Sequence, residues 1–198
     1  MIGAVVGSRS TRQVSFVGPF GVGKTTAVFT LCGASVSATE VASSMVAARL
    51  GRRVKPTTTV GLEVGEWKAP DGRPLTVVGT PGQERFDVVR RSAMPRSMGV
   101  VLWLFGGHEY AVLDARLWLE FISKEVPPTK ITVAVTRLGD EPHDDERFAE
   151  ICATISRTAP TVRVVRADPR DRDDVERLVL LATGMATVDL GETSGIVA

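Results

Sequence analysis

The sequence has few of the features that mark secreted, membrane-spanning or nucleic-acid-binding proteins. Its 198 residues include only two cysteines, Cys32 and Cys152, which favours two reduced thiols over a disulfide framework or a zinc site. The longest strongly apolar run, Val100 to Phe105, is far shorter than the ~20 residues that a membrane span needs. The 24 basic and 23 acidic residues leave a net charge of +1, so no bulk attraction to nucleic acid is expected. Any bound anion must therefore be held by a local site.

Targeting and lipidation signals are also missing. The first residues lack the basic segment of a signal peptide, and the segment from Gly195 to Ala198 contains no prenylation cysteine. We therefore expect a cytoplasmic protein with no direct membrane anchor. Hydrophobic residues make up 43% and charged residues 24% of the chain, which is ordinary for a folded domain of this length.

Strand-like and helical patterns alternate along the chain. The strand patterns fall at 12–18, 59–68, 75–78, 99–105, 131–135 and 162–165, and helical spacing lies between most of them. This alternation predicts one α/β domain with a six-stranded, mostly parallel sheet and helices on both faces. The Asp71-Gly72 turn signal predicts a hairpin, which adds one antiparallel edge strand.

A phosphate-binding motif lies between the first strand and the first helix. The segment from Gly18 to Thr25 reads Gly-Pro-Phe-Gly-Val-Gly-Lys-Thr and fits G-x-x-x-x-G-K-[ST] at every specified position. In this motif the glycines let backbone N–H groups curl around phosphate oxygens, and the helix N-terminus adds positive charge. Lys24 reaches the β- and γ-phosphates, and the Thr25 hydroxyl can ligate Mg²⁺. The predicted nucleotide contacts here are Gly18, Phe20, Gly21, Val22, Gly23, Lys24, Thr25 and Thr26.

A second element, Gly79-Thr80-Pro81-Gly82-Gln83, follows the returning strand of the predicted hairpin. The backbone N–H of Gly82 can contact a γ-phosphate and so sense a triphosphate. Gln83 can orient an attacking water molecule. Taken alone, this segment also fits an ordinary turn.

Together these motifs make residues 12–184 resemble the small GTPases of the Ras superfamily. The segment from Gly82 to Phe86 is similar to switch II, and the segment from Thr59 to Val64 resembles the switch I threonine and second strand of Arf proteins. The likeness extends to the bacterial MglA-like group, especially the conservon-encoded GTPases of actinobacteria. It is carried there by residues 21–26, 57–59 and 79–83, with weaker support from 168–172.

The resemblance implies a Ras-like G domain at 12–184 within a P-loop NTPase fold. Its switch I is extended over 34–58 and its switch II covers 79–97, with an N-terminal extension at 1–11 and a loose tail at 185–198. The implied function is a molecular switch that binds GTP and hydrolyses it slowly to GDP, with Mg²⁺ held by Thr25 and Thr59. The implied protein partners are a roadblock-fold GTPase-activating protein and a sensor-kinase-like complex, which would recruit the chain to the inner face of the membrane.

Two departures from the Ras pattern concern the metal and the base. Gly79 stands where Ras-like proteins place an aspartate that holds Mg²⁺ through water. The guanine motif N-K-x-D is replaced by the segment from Thr136 to Gly139, and Asp140 follows one position late. The Arg137 stem can pack on the base, and Asp140 either reaches guanine through a bulged loop or is a solvated carboxylate. If Asp140 does not reach the base, guanine selectivity is weakened.

Two further groups complete the predicted nucleotide site. Ala167 falls where relatives use a backbone N–H to contact the guanine carbonyl, and Asp168 is expected to support that loop. Thr59 lies 34 positions after Thr25, a longer separation than in Ras. Arg52 or Arg53 within that segment can supply an arginine to the γ-phosphate in cis, or the two form a solvated pair. The candidate catalytic residues are Gln83, Lys24 and Arg53.

Three functions remain open on this evidence. The first is the guanine-nucleotide switch, which the phosphate loop, Thr59 and Gln83 support together. The second is a scaffold of the same fold that binds nucleotide with weak or no hydrolysis and relaxed base selectivity, which Gly79 and the altered base motif favour. The third is a P-loop kinase for a small molecule, which lacks an evident acceptor site and leaves Gln83 unexplained.

Overall fold

The computed structural model describes residues 12–41, 60–80, 94 and 97–185. Within these residues seven strands alternate with four α-helices and two short 3₁₀ turns. The strands are β1 (Gln13–Val17), β2 (Ser37–Val41), β3 (Val60–Lys68), β4 (Pro74–Gly79), β5 (Gly99–Phe105), β6 (Ile131–Thr136) and β7 (Arg163–Arg166). The helices are α1 (Lys24–Cys32), α2 (Ala111–Ser123), α3 (Pro142–Thr158) and α4 (Arg172–Thr183), and the 3₁₀ turns span Gly33–Ser35 and Pro128–Lys130.

All strands belong to one sheet with the order β2-β3-β4-β1-β5-β6-β7. The pairs from β4 through β1, β5, β6 and β7 are parallel, whereas β3 is antiparallel to both β2 and β4. The six predicted strands are present, and the predicted α/β P-loop architecture is confirmed. The helices α2 and α3 connect β5 to β6 and β6 to β7, and the Asp71-Gly72 turn closes the β3–β4 hairpin with Gly72 at φ 77°.

The strand β2 is an addition that the sequence did not predict. It lies within the segment interpreted as an extended switch I, and its residues read Ser-Ala-Thr-Glu-Val without alternating apolar positions. Main-chain pairing with β3 therefore defines this edge strand, as in the pair Ser37↔Val64. The rest of that predicted segment, residues 42–58, lies outside the described residues, as do 1–11, most of 79–97 and the tail beyond 185.

The sheet has a hydrophobic layer on each face. Leu102 of β5 packs on one side with Leu119 of α2 and Ile151 of α3, and all three are fully buried. Trp103, the next residue of β5, faces the opposite layer with Val28 of α1 and other buried residues of α1 and α4. Successive side chains of a strand point to opposite faces, so the continuous apolar run of β5 is what a strand covered on both sides requires.

This layering places one edge of the sheet next to the phosphate-binding motif. The carboxyl ends of β1, β5, β6 and β7 lie along one edge, because these four strands are parallel and consecutive in the sheet order. Ligands of open α/β sheets bind outside the carboxyl ends of the strands. Among the described helices, none has the length and apolar character needed to cross a bilayer.

The packing of α2 generates a stability prediction. Leu119 is 1% exposed and Leu117 of the same helix is 53% exposed. We expect Leu119→Ala to lower the free energy of unfolding by about 2–5 kcal/mol, because it leaves a cavity in the core. Leu117→Ala should change it by no more than about 0.5 kcal/mol. Urea denaturation followed by circular dichroism measures both, and equal effects would contradict this helix orientation.

Candidate functional site

The loop between β1 and α1 is shaped by close contacts that only glycine allows. A Cβ on Gly18, whose φ is 134°, would lie 2.1 Å from the Trp103 carbonyl oxygen of β5. A Cβ on Gly23, with φ 102°, would lie 2.6 Å from the Pro169 Cγ in the loop after β7. Both positions combine a left-handed backbone with direct contact to a neighbouring segment. The absence of side chains at these glycines thus lets the phosphate loop pack closely between β5 and the β7–α4 loop.

Lys24 carries its charge into the interior of this loop. The residue is 6% exposed, and its Nζ donates to the carbonyl oxygens of Gly18 at 2.8 Å and Pro19 at 2.5 Å. A buried ammonium needs such partners because desolvation of a charge is costly. Val22 is buried and anchors the loop, whereas Phe20 is 78% exposed at its outer rim. The predicted loop residues therefore surround a fixed cation suited to a phosphate group.

A carboxylate that the sequence interpretation missed lies beside Thr25. The Thr25 Oγ1 donates to Glu63 Oε1 of β3 at 2.9 Å. Glu63 is paired with Gly79 across the β3–β4 hairpin. A Cβ on Gly79 would lie 2.7 Å from Glu63 Oε2, so the Glu63 carboxylate fills the space next to Gly79. The sequence signal was off by one position, because counting outward from a two-residue Asp71-Gly72 turn places Glu63 opposite Thr80. The observed register differs because the Ala69 N–H donates to the Arg73 carbonyl, which leaves three residues in the turn and pairs Glu63 with Gly79.

The Thr25–Glu63 pair has the chemistry of a magnesium site. A hydroxyl and a carboxylate are hard oxygen ligands, and Mg²⁺ is commonly held by one or two carboxylates together with phosphate oxygens and water. Among residues 12–41, 60–80, 94 and 97–185, no group of three or more His, Cys, Asp or Glu side chains could hold a metal.

Next to the phosphate loop is a cavity of about 520 Å³. It brings together Gly23, Thr26, Arg137, Ala167 and Asp168, all of them predicted nucleotide-binding residues. Asp140 does not line it. The cavity is large enough for a nucleoside and adjoins the phosphate loop at Val22 and Gly23.

The wall formed by the end of β6 is tied directly to the phosphate loop. Thr136 is fully buried, and its Oγ1 lies 3.2 Å from the Leu104 carbonyl and 3.4 Å from the Val22 carbonyl. Arg137 has φ 56°, and its guanidinium donates to the Gly21 carbonyl at 3.0 Å. A positive φ at a residue other than glycine is uncommon and is often found at functional sites.

The loop after β6 holds Asp140 away from the cavity. The Gly139 N–H donates to Asp144 Oδ2 at 2.9 Å, and Asp144 is a buried residue in the first turn of α3. Asp140 itself is exposed. The bulge that would carry Asp140 toward a base is therefore not seen in this conformation.

After β7, the Ala167 N–H that was expected to contact the guanine carbonyl is bonded within the sheet instead. The Ala167 N–H donates to the Val135 carbonyl at 3.0 Å, where the β6–β7 ladder ends. The Asp168 N–H donates to Asp174 Oδ2 at 2.9 Å. The Asp168 carboxylate accepts hydrogen bonds from the Arg170 backbone and guanidinium, which lower the pKa of Asp168 below its ordinary value. Asp168 therefore faces the cavity as a carboxylate.

Several predicted site residues lie outside the described residues. These are Thr59, Gly82, Gln83 and Arg53. Their roles at the γ-phosphate stay predictions. The structure does place Thr80, the residue before that segment, with its N–H and hydroxyl both bonded to the Phe16 carbonyl of β1. Thr80, the last described residue of this stretch, is thus fixed beside the end of β1.

No protein-family model and no curated protein sequence matches the chain. Solved structures do match. The G domain of the iron transporter FeoB from T. maritima has a TM-score of 0.59 and 17% identity, over 89% of this chain and 99% of that one. The FeoB cytosolic domain in its GMPPNP form has a TM-score of 0.58 and 17% identity, and the match covers 92% of this chain and 69% of that one.

Another match is a bacterial selenocysteine-specific elongation factor, EF-Sec, with a TM-score of 0.60 and 16% identity. The match covers 89% of this chain but only 29% of the EF-Sec chain. At these identities the likeness concerns the fold. The chain has the fold of P-loop GTPase G domains.

Proposed function

We propose that this chain is a molecular switch that binds GTP with Mg²⁺ and hydrolyses it slowly to GDP and phosphate. The observation that carries the proposal is the buried Lys24 ammonium inside a complete phosphate loop, beside a cavity that fits a nucleoside. Its fold likeness to G domains, one of them solved in a GMPPNP form, supports guanine nucleotide as the ligand. The Ras-like resemblance of the two switch segments supports the same ligand.

The phosphate loop would hold the triphosphate through backbone N–H groups and one charge. The glycines with positive φ would let the loop turn its amides toward a bound phosphate, and α1 begins at Lys24, so the positive end of the helix would add to that site. The Lys24 ammonium then exchanges carbonyl contacts for β- and γ-phosphate oxygens. Because this charge is buried, its contact with an anion is stronger than the same contact in water.

Glu63 and Thr25 would hold the magnesium ion, together with Thr59 when switch I closes. A bound Mg²⁺ neutralises charge on the β- and γ-phosphate oxygens. Glu63 supplies from β3 the carboxylate that position 79 of β4 lacks, while Thr25 orients one of its oxygens. This arrangement favours a working metal site over the scaffold alternative.

Hydrolysis would depend on Gln83, with Arg53 as a candidate cis arginine. A glutamine amide is neutral, so it acts by orienting the attacking water. We propose that turnover is slow until a partner protein orders the Gln83 segment. The MglA-like membership, a roadblock-fold activator and a sensor-kinase-like complex that recruits a cytoplasmic protein to the membrane belong to this proposal through sequence resemblance alone.

Lys24→Ala tests the phosphate loop. We expect GTP affinity to fall by about 100-fold or more, because two charge-assisted contacts to phosphate are lost. Lys130→Ala removes an exposed lysine far from the loop and should bind as the wild type does. Titration calorimetry measures both, with circular dichroism as the check of folding. Unchanged affinity in a folded Lys24→Ala variant would contradict the assignment of the loop.

Glu63→Ala tests the position of the metal-binding acid. We expect Mg²⁺ to strengthen binding of a GTP analogue about tenfold less in this variant than in the wild type. The matched control is Glu66→Ala, which changes an exposed residue of the same strand.

Gly79→Asp should also weaken the effect of magnesium on binding, because the new side chain collides with Glu63. The double variant Glu63→Ala/Gly79→Asp should recover part of it. An intact magnesium effect in Glu63→Ala would remove Glu63 from the site.

Gln83→Leu separates the switch from the scaffold. We expect GTP affinity to stay nearly intact while partner-stimulated hydrolysis falls at least tenfold, or about 1.4 kcal/mol of barrier. Single-turnover assays with and without cell extract give both rates. Equal rates for the wild type and Gln83→Leu in both conditions would favour the scaffold.

A further inference from the structure

The cavity beside the phosphate loop lacks the acid that the guanine motif would supply. Guanine exposes two adjacent donors on its Watson–Crick edge, N1–H and the 2-amino group, which need a paired acceptor to be selected. Position 139 is a glycine, and its N–H is held by Asp144. Asp140 is exposed and does not line the cavity. The described part of the chain must provide that acceptor from another element.

Two carboxylates do line the cavity, Asp168 and Asp174. Asp174 is committed to internal contacts, since its Oδ2 accepts from the Asp168 N–H at 2.9 Å and its Oδ1 accepts from Arg177 at 2.7 Å. It also lies in the first turn of α4, which Asp171 caps by accepting from the Asp173 and Asp174 N–H groups. Asp174 therefore fixes the backbone at Asp168 rather than facing a ligand.

The Asp168 carboxylate, unlike that of Asp174, is paired with an exposed side chain, the guanidinium of Arg170. Its oxygens lie 2.6–3.1 Å from the Arg170 guanidinium, whose side chain is 80% exposed, while the Asp168 side chain is 41% exposed. An ion pair between exposed side chains is weak, because water competes for both groups. The Arg170 N–H also donates to Asp168 Oδ1 at 2.9 Å and keeps the carboxylate in place. A bound base would therefore displace the Arg170 guanidinium and share Oδ1 with that N–H.

The position of Asp168 along the nucleotide path is set by its neighbour Pro169. Pro169 packs against Gly23 of the phosphate loop so closely that a Cβ there would lie 2.6 Å from the proline ring. Arg137 lines the same cavity from the end of β6 and is tied to the Gly21 carbonyl. A nucleotide whose phosphates lie in the loop would thus place its base between the Arg137 stem and the Asp168 segment.

We propose that Asp168 reads the Watson–Crick edge of guanine in place of the acid absent from position 139. This inference rests on the proposed function and names the residue that selects its ligand. The two carboxylate oxygens accept from N1–H and the 2-amino group. Adenine fits less well, because its N1 is an acceptor and would face a carboxylate without a proton between them. The base is thus selected from the β7–α4 loop instead of the β6–α3 loop.

The test compares diphosphates that differ only on this edge. GDP, inosine diphosphate, which lacks the 2-amino group, and xanthosine diphosphate, which has an oxygen there, are titrated into the full chain with ADP as reference. The variants are Asp168→Asn and its matched control Asp140→Asn. Both make the same chemical change, but only Asp168 lines the cavity. Both side chains are exposed or partly exposed, so both variants should fold.

In the wild type we expect GDP to bind about tenfold more tightly than inosine diphosphate. The reason is that inosine lacks the 2-amino group and so donates one hydrogen bond fewer to the Asp168 carboxylate. In Asp168→Asn that preference should vanish and xanthosine diphosphate should gain at least about tenfold, since an amide can donate to its extra oxygen. Asp140→Asn should keep the wild-type order. A merely structural role for Asp168 would not produce a gain for xanthosine diphosphate.

Each other result overturns the proposal. The xanthosine switch in Asp140→Asn would make Asp140 the reading residue, and equal binding of GDP and inosine diphosphate by the wild type would remove a carboxylate from the base edge. A wild type that binds GDP and ADP alike would contradict base reading but leave phosphate binding intact. A wild type that binds none of the diphosphates would contradict the proposed function itself.

Discussion

The ammonium group of Lys24 lies inside the phosphate loop, 2.8 Å and 2.5 Å from the Gly18 and Pro19 carbonyl oxygens. Burial of this charge constrains its surroundings, because the loop must curl around it and the curl requires glycine at φ 134° and 102°. Those glycines in turn touch Trp103 of β5 and Pro169 after β7, so the sheet order and the loop shape depend on each other. The result is a cation that is fixed before any phosphate arrives and needs little reorganisation to bind one.

Two acids of the Ras-like pattern are replaced by glycine in this chain, and in both places a carboxylate approaches from another element. Glu63 reaches the space beside Gly79 across the β3–β4 hairpin, next to Thr25. Asp168 faces the cavity from the loop after β7, whereas Gly139 is tied to Asp144. A metal ion on the phosphates and a guanine base would each need a carboxylate at a given point in space, and neighbouring elements can supply it. A motif search along one segment would miss both.

The sequence predicted the parts of the site that are local. The phosphate loop is specified by eight consecutive residues, and the strand and helix around it follow from simple periodicity. The strand β2 escaped prediction because its pairing with β3 is made by the backbone and leaves no apolar alternation. Glu63 was missed because the register of the β3–β4 hairpin, and not a local motif, places it beside Gly79. Asp168 was expected only to support its loop, because its place at the cavity depends on the contact of its N–H with Asp174. Thr59, Gly82 and Gln83 remain predictions from resemblance.

The measurement that bears most directly on the central claim is calorimetric titration of the wild-type chain, freed of nucleotide, with GTP, GDP and ATP. The proposed function predicts that GTP and GDP each bind at one site per chain, and that ATP binds at least about tenfold more weakly. Absence of binding by all three nucleotides, or a preference for ATP, would contradict a guanine-nucleotide switch.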